Sequence, residues 1–196
     1  MDFPQSHSIV YDSSMDRVTR IIGDIESIEK EGRIVVAIDG KCGSGKTTLA
    51  SRVAEHIDIS IVHADDFTIP FEMKTPQRLS IPGGNLDSLR MLSDFFERLS
   101  EPVIQYHPFD YSIGRVSDRL ETVDKRIVIV EGSYSLLPVF WPYYDRCYII
   151  DEPLDVRLRR LEKRVGREKF QMFLDKWIPL EDLYWDTYRF DEIFYI

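Results

Sequence analysis

Arg33–Ala50 reads R-I-V-V-A-I-D-G-K-C-G-S-G-K-T-T-L-A, and the spacing G-x-x-x-x-G-K-[ST] runs through it from Gly40 to Gly45, Lys46 and Thr47. Gly40, Gly43 and Gly45 let the backbone turn with positive φ and close in on a ligand. Amide N–H groups in such a turn point inward as an anion nest. A helix beginning near Lys46 brings its positive dipole end to the same point. Lys46 adds a cation for the outer phosphates, and the Thr47 hydroxyl suits Mg²⁺. A chance match in a chain of this length is on the order of one in a hundred at average residue usage, and context lowers it further. Ile34–Ile38 is an unbroken apolar run, as a buried parallel strand requires. Leu49, Val53, Ala54 and Ile57 recur at helical spacing over Thr47–Ile57. The stretch therefore predicts strand, phosphate loop and helix, with Gly40, Cys42, Gly43, Ser44, Gly45, Lys46, Thr47 and Thr48 as candidate nucleotide ligands.

With 196 residues and 43% hydrophobic content, the chain suits one α/β domain spanning 1–196, with an N-terminal helical extension over 1–32 and a mobile lid near 155–170. The net charge of −9 argues against a broad nucleic-acid surface, so phosphate affinity has to arise locally. Two cysteines, Cys42 and Cys147, form no disulfide framework, and a bridge at Cys42 would obstruct the loop. A reducing cytosol is the expected compartment. No apolar run reaches membrane-spanning length, and Met1–Tyr11 does not read as a signal peptide. The expected partner is a small molecule, not nucleic acid or membrane, with self-association left open.

Outward from the loop, Asp16–Lys30 carries Val18, Ile21, Ile22, Ile25 and Ile28 at helical spacing, and the polar Met1–Asp12 before it is expected to be loosely held. Ile59–His63 is a short apolar strand ending in Ala64-Asp65-Asp66-Phe67. Ligands of open parallel sheets bind at the carboxyl ends of the strands. A carboxylate there can take a proton from an attacking hydroxyl or hold Mg²⁺; it can equally cap a turn. Thr68–Asn85 holds three prolines and two glycines and is too long for a simple connector. A helix is expected over Leu86–Leu99 with Leu89, Leu92, Phe96 and Leu99 buried; Asp87 at its start is either a dipole partner or a ligand for a polar acceptor. Val103–Tyr106 reads as a strand, and Ile113–Asp124 as a small hairpin or loop. Between them, Phe109, Asp110 and Tyr111 could face a flat base or belong to the core. Ile127–Val130 is an apolar strand ending in Glu131-Gly132, where an acid suits a role near Mg²⁺. Ser133–Tyr144 is a helix or turn region, Arg146–Ile150 a strand, Phe170–Tyr188 a helix interrupted or begun at Pro179, and Glu192–Ile196 a fifth strand. On Asp155–Arg167, Arg157, Arg160, Arg164 and Arg167 share one helical face. Such a face is either solvated or a lid that clamps phosphates with guanidinium forks.

Taken together, I-D-G-K-C-G-S-G-K-T-T-L-A, H-A-D-D-F, N-L-D, F-D-Y, I-V-I-V-E-G and R-L-R-R-L-E-K-R resemble the uridine kinase and phosphoribulokinase family of P-loop kinases. K-W-I-P-L-E-D-L-Y is similar to small bacterial uridine-kinase-like proteins. The resemblance implies a P-loop α/β/α sandwich with a mainly parallel sheet of about five strands. It also implies ATP- and Mg²⁺-dependent phosphorylation of an alcohol, often the 5′-hydroxyl of a nucleoside. On that basis Asp65 is the expected base, with Lys46 and Arg160 beside it, and Arg157 and Arg164 are further lid arginines. Asp66, Phe67, Asp87, Phe109 and Tyr111 are expected to contact the acceptor, and Thr47 and Glu131 to hold the metal. Thr68 stands where nucleoside kinases often carry an aromatic, Gly114 lies near a base-contacting His of some members, and the lid is short. A pyrimidine nucleoside is the first expectation for the acceptor. Another small alcohol (pantothenate, glycerate or a sugar phosphate) and a non-catalytic nucleotide-binding module are the alternatives.

Overall fold

The computed structural model describes residues 17–188, 190 and 194–196; the segment 1–12 and the start of the strand expected at Glu192 lie outside them. Strands are β1 (Ile34–Gly40), β2 (Ile59–His63), β3 (Ile104–Tyr106), β4 (Phe109–Asp110), β5 (Arg115–Val116), β6 (Glu121–Val123), β7 (Ile127–Glu131), β8 (Arg146–Ile150) and β9 (Phe194–Tyr195). Helices are α1 (Arg17–Glu26), α2 (Lys46–Ala54), α3 (Pro76–Leu79), α4 (Ser88–Asp94), α5 (Leu154–Val165), α6 (Arg167–Met172) and α7 (Ile178–Thr187). β2, β7, β1 and β8 lie side by side in that order, all parallel, and the two-residue β9 pairs with the free edge of β8.

Both faces of this sheet are covered, which is why its strands are apolar without alternation. On β1, Ile34, Val36 and Ile38 pack on one side against Val18, Ile21 and Ile25 of α1 and Leu49, Ala50 and Val53 of α2. Val35 and Ala37 face the other side, toward Phe67, Met91, Phe95, Phe96, Phe140 and Tyr184. The register sets both Ile38 and His63 opposite Glu131. The carboxyl ends of β1, β2 and β7 therefore finish at one rim, where open parallel sheets collect ligands.

Beyond β2 the chain departs from the main sheet. β3 pairs antiparallel with β6, and β4 with β5, forming a nested flap. The strand expected at Val103–Tyr106 belongs to this flap. The helix expected over Leu86–Leu99 is shorter than its apolar spacing suggests. α4 ends at Asp94, Phe95 breaks it at φ −130°, ψ −64°, and Phe96–Arg98 is a separate 3₁₀ turn. Phe96 is buried as expected, with Leu92 and Leu99 packed against the same core; Met91 and Phe95 are buried as well, whereas Leu89, expected in the buried stripe, is 76% exposed. Gly166, at φ 78°, ends the basic helix α5. α6 then runs through a π-helical segment, Phe173–Trp177, into α7 with Pro179 in its first turn.

Phe96 meets Phe95, Phe140, Tyr143 and Tyr144 at ring distances of 4.8, 4.8, 5.0 and 5.5 Å. Phe96→Ala is therefore expected to cost about 3–5 kcal/mol in urea unfolding. Leu89→Gln should stay within about 0.5 kcal/mol of the parent. A comparable loss at both positions would contradict the break at Phe95.

Candidate active site

The loop between β1 and α2 is held open by its glycines and braced from behind. Gly43 sits at φ 79°, and a Cβ placed there would lie 2.5 Å from the Arg157 carbonyl oxygen of α5. Gly45, at φ 101°, has only Arg160 Nη1 near its Cβ position, at 3.8 Å, so the space over it is open. Arg157 is buried behind the loop, donating to the Cys42 carbonyl at 3.4 Å, and Arg160 donates to the Ser44 carbonyl at 3.2 Å. Lys46 turns back on its own loop, donating to the Gly40 carbonyl at 2.6 Å and lying 3.4 Å from Ser133 Oγ. The positive φ values, the start of α2 and the free space over Gly45 fit a polyphosphate.

Carboxylates surround this positive centre. Asp39 is wholly buried beneath the loop, accepting from Gly40 N, Leu136 N and the Tyr184 hydroxyl at 2.6, 3.0 and 2.8 Å. Burial lifts its pKa to about 6 although Lys46 and these donors oppose the rise. Glu131 accepts from the Thr47 hydroxyl at 3.0 Å, and His63 Nδ1 lies 2.6 Å from the same oxygen. That contact is the main reason the His63 pKa is raised. Thr47 and Glu131 present hard oxygen donors of the type Mg²⁺ takes, in the cavity that Asp65 also lines; among the described residues they are not part of a cluster of three or more acids, histidines or cysteines.

A cavity of about 750 Å³ opens over these groups, within the range of small-molecule sites. Cys42, Gly43, Gly45, Lys46, Thr47, Thr48, Asp65, Tyr111, Glu131, Arg160 and Arg164 line it. Asp65 is open to the water of the cleft yet ringed by protein; that enclosure, then the charge of Glu131, raises its pKa. Among the described residues, no side chain or backbone donor is bonded to its carboxylate. Asp66 differs, since the Tyr106 hydroxyl donates to it at 2.9 Å, away from the cavity.

Other residues expected at the acceptor lie elsewhere. Phe67 is fully buried against Tyr106, with the Arg90 guanidinium over its ring. Asp87 caps α4, accepting from Arg90 N at 3.1 Å. Phe109 is 5% exposed and borders the site through Lys74 and, edge-on, through Tyr111, whose hydroxyl is 2.8 Å from Thr68 Oγ1. Arg167 points away and is 3.8 Å from Glu162.

A wall that local patterns did not reveal comes from the C-terminal helix. Lys169, Phe173, Trp177 and Glu181 recur every four residues through the π-helical segment and all line the cavity. Glu181 accepts from Cys42 N at 2.8 Å and from the Ser133 hydroxyl at 2.7 Å, and Asp182 pairs with Lys41. Burial and the Glu181 charge push the Cys42 thiol up to about 12, so it stays protonated. The four-residue spacing was present in the sequence, but without the fold it does not say which wall it forms. Tyr134, on the rim beyond β7, holds φ 73°, an uncommon backbone for a bulky residue.

No family model matches the chain. A possible uridine kinase from Bacillus stearothermophilus superposes with a TM-score of 0.69 at 23% identity, covering 91% of this chain and 97% of that one. A fructose transport system kinase candidate from Silicibacter sp. TM1040 gives 0.74 at 19% identity, covering 93% and 100%. The fold is that of the P-loop kinases, an α/β architecture with a parallel sheet and helices on both sides. In sequence, the chain is 26% identical over 143 residues to the tRNA-specific adenosine deaminase subunit tad2 of Schizosaccharomyces pombe. That match covers 69% of this chain and 34% of the relative, so the chain spans about a third of its length. No helix among the described residues is long and apolar enough to cross a membrane.

Gly43→Ala tests the bracing of the loop. A side chain there meets both a left-handed backbone, worth roughly 1–2 kcal/mol, and the Arg157 carbonyl. The expected outcome is a lower melting temperature together with weakened ATP binding in a calorimetric titration. Unchanged ATP affinity would mean the loop does not grip phosphates.

Proposed function

We propose that this protein is an ATP- and Mg²⁺-dependent kinase that phosphorylates a hydroxyl of a small molecule. The observation that carries the reading is the unpaired Asp65 carboxylate sharing one cavity with Lys46, Thr47, Arg160 and Arg164. The P-loop amides and Lys46 hold the outer phosphates of ATP, with Lys46 leaving the Gly40 carbonyl to do so. Arg160 and Arg164 offset charge that develops on the transferring group. Thr47 and Glu131 would hold Mg²⁺, which supplies charge neutralisation between the phosphates when bound. Asp65 accepts the proton of the attacking hydroxyl and orients it in line. Asp66, bonded to Tyr106, is not placed for that task.

The resemblance in sequence points to a pyrimidine nucleoside as acceptor. The alternative, another small alcohol, is favoured by a specific observation: the Phe71, Phe109, Tyr111 and Trp177 rings converge on a lysine ammonium. A non-catalytic module would have no use for the unpaired acid.

Asp65→Asn should lower acceptor-stimulated ADP release by at least about 10²-fold while leaving ATP affinity close to the parent; near-parental turnover would remove Asp65 as base. The pH profile gives a second check. Asp65 acts as a base only when ionised, so activity is present above its pKa and lost as pH falls through it. Because that pKa is raised, the acid limb of kcat/KM should lie above the ordinary carboxylate range. Glu131→Gln, by removing one of the charges that raise it, should move the limb to lower pH. A limb that stays in place in this variant would assign it to another group.

A further inference from the structure

Lys74 belongs to the irregular excursion after β2 and projects into the cavity. Its ammonium lies 5.0 Å from the Phe71 ring, 5.7 Å from Phe109, 6.0 Å from Tyr111 and 5.0 Å from Trp177. Among the described residues it makes no ion pair. Lys176 stands on the same indole, 4.7 Å from the Trp177 ring, and adds a second positive charge. Burial and that like charge lower the Lys74 pKa to about 8, with Asp65 opposing the change. A residue that only filled the gap between the flap and the C-terminal helix would be better apolar, because a half-buried ammonium without a counter-ion costs free energy. The rings recover part of this through cation–π attraction, but the charge still lacks an anion.

Asn85 also lines the pocket, with its Oδ1 turned into the protein and closed off from the cavity. The pocket thus offers the Lys74 ammonium at one end, with the Lys176 charge beside the same indole outside the lining, and Asp65 toward the phosphates. A nucleobase is poorly served, because the ring faces it would stack on are directed at an ammonium.

We propose that Lys74, supported by Lys176, is an anion-binding subsite of the acceptor pocket, so that the molecule phosphorylated is a small hydroxylated carboxylate or phosphate ester and not a neutral nucleoside. The inference rests on the kinase reading of the site, and the two fail differently. Matched acceptors separate them: glycerol, glycerate and glycerol phosphate; ribose, ribonate and ribose phosphate; and uridine. Each is measured twice on the full chain, by coupled ADP release with MgATP and by the shift in melting temperature with MgADP.

The expected result is that charged members outperform their neutral counterparts, the carboxylate and phosphate arms showing which anion is preferred. In Lys74→Met the charged-over-neutral ratio of kcat/KM should fall on the order of 30-fold, the loss of one charge-assisted contact. Lys74→Arg should keep most of it. The charged residues and titratable groups facing Lys74 are Asp65, Lys176 and the Tyr111 phenol, whose own pKa is raised by burial. The ammonium is present below its pKa and lost above it. The kcat/KM of a charged acceptor should therefore fall above pH about 8 in the parent, and at higher pH in Lys74→Arg.

If charged members raise the melting temperature of the parent but not of Lys74→Met, yet none is turned over, the subsite stands and the kinase reading fails. If uridine or another neutral member is turned over best and Lys74→Met does not change the ratio, the kinase reading stands and the subsite is overturned. If no charged member is either bound or turned over, the subsite is likewise overturned.

Discussion

The turn at Gly40–Thr47 gathers backbone amides, a helix N-terminus and an ammonium in one place, and the surrounding protein has to support that positive potential. The surroundings show how. Lys46 is folded onto the Gly40 carbonyl, and Glu181 takes the Cys42 amide. Arg157 and Arg160 bond the carbonyl oxygens of Cys42 and Ser44, which favours the orientation those peptide groups hold. Asp39 lies beneath the loop, and its pKa, raised to about 6, measures what burial costs even with Lys46 nearby.

The same field organises the acids at the rim. Asp65, Glu131 and Glu181 share one cleft, and the Asp65 pKa is raised first by burial and then by the charges of Glu131 and Glu181, while Lys46 and Arg164 oppose the rise. His63 offsets Glu131 at 2.6 Å, while Asp65 has no bonded donor among the described residues. Two adjacent aspartates thereby acquire different tasks. The 3₁₀ turn Ala64–Phe67 sends Asp65 into the cavity and Asp66 back to Tyr106. Adjacent residues on a tight turn point in different directions, so the pair could not be resolved by spacing alone.

That contrast marks how far the sequence is legible. Strand, loop and helix around Gly40 are read from local pattern because each is determined locally: β-branched runs for buried parallel strands, glycines for positive φ, apolar spacing for α2. The rim position of Asp65 and Glu131 follows from the rule that parallel strands share a carboxyl edge. Leu89 is misplaced by the same reasoning, which places Phe96 correctly: the helix ends at Phe95, and Met91 rather than Leu89 is buried. Asp87, legible from the sequence either as a dipole partner or as a ligand for a polar acceptor, accepts from Arg90 N at the start of α4. Lys74, Asn85 and Glu181 could not be found locally at all. They reach the cavity from an irregular excursion and a C-terminal helix far apart in the chain, and only the folded structure brings them together.

The two halves of the cavity are therefore built under different constraints. The phosphate half is fixed by β-sheet pairing and by glycines whose Cβ positions are partly filled by neighbours; substitutions there disturb the backbone itself. The acceptor half is assembled from the excursion after β2, the flap and a helix carrying a π-helical segment, where side chains can change without moving the sheet. Solved structures at 19–23% identity superpose on this chain over more than nine tenths of its length, so what they share with it is the fold. On the proposed kinase reading, what the chain phosphorylates depends on the second half, so the charge on the excursion and the C-terminal helix is more informative about the acceptor than the P-loop itself.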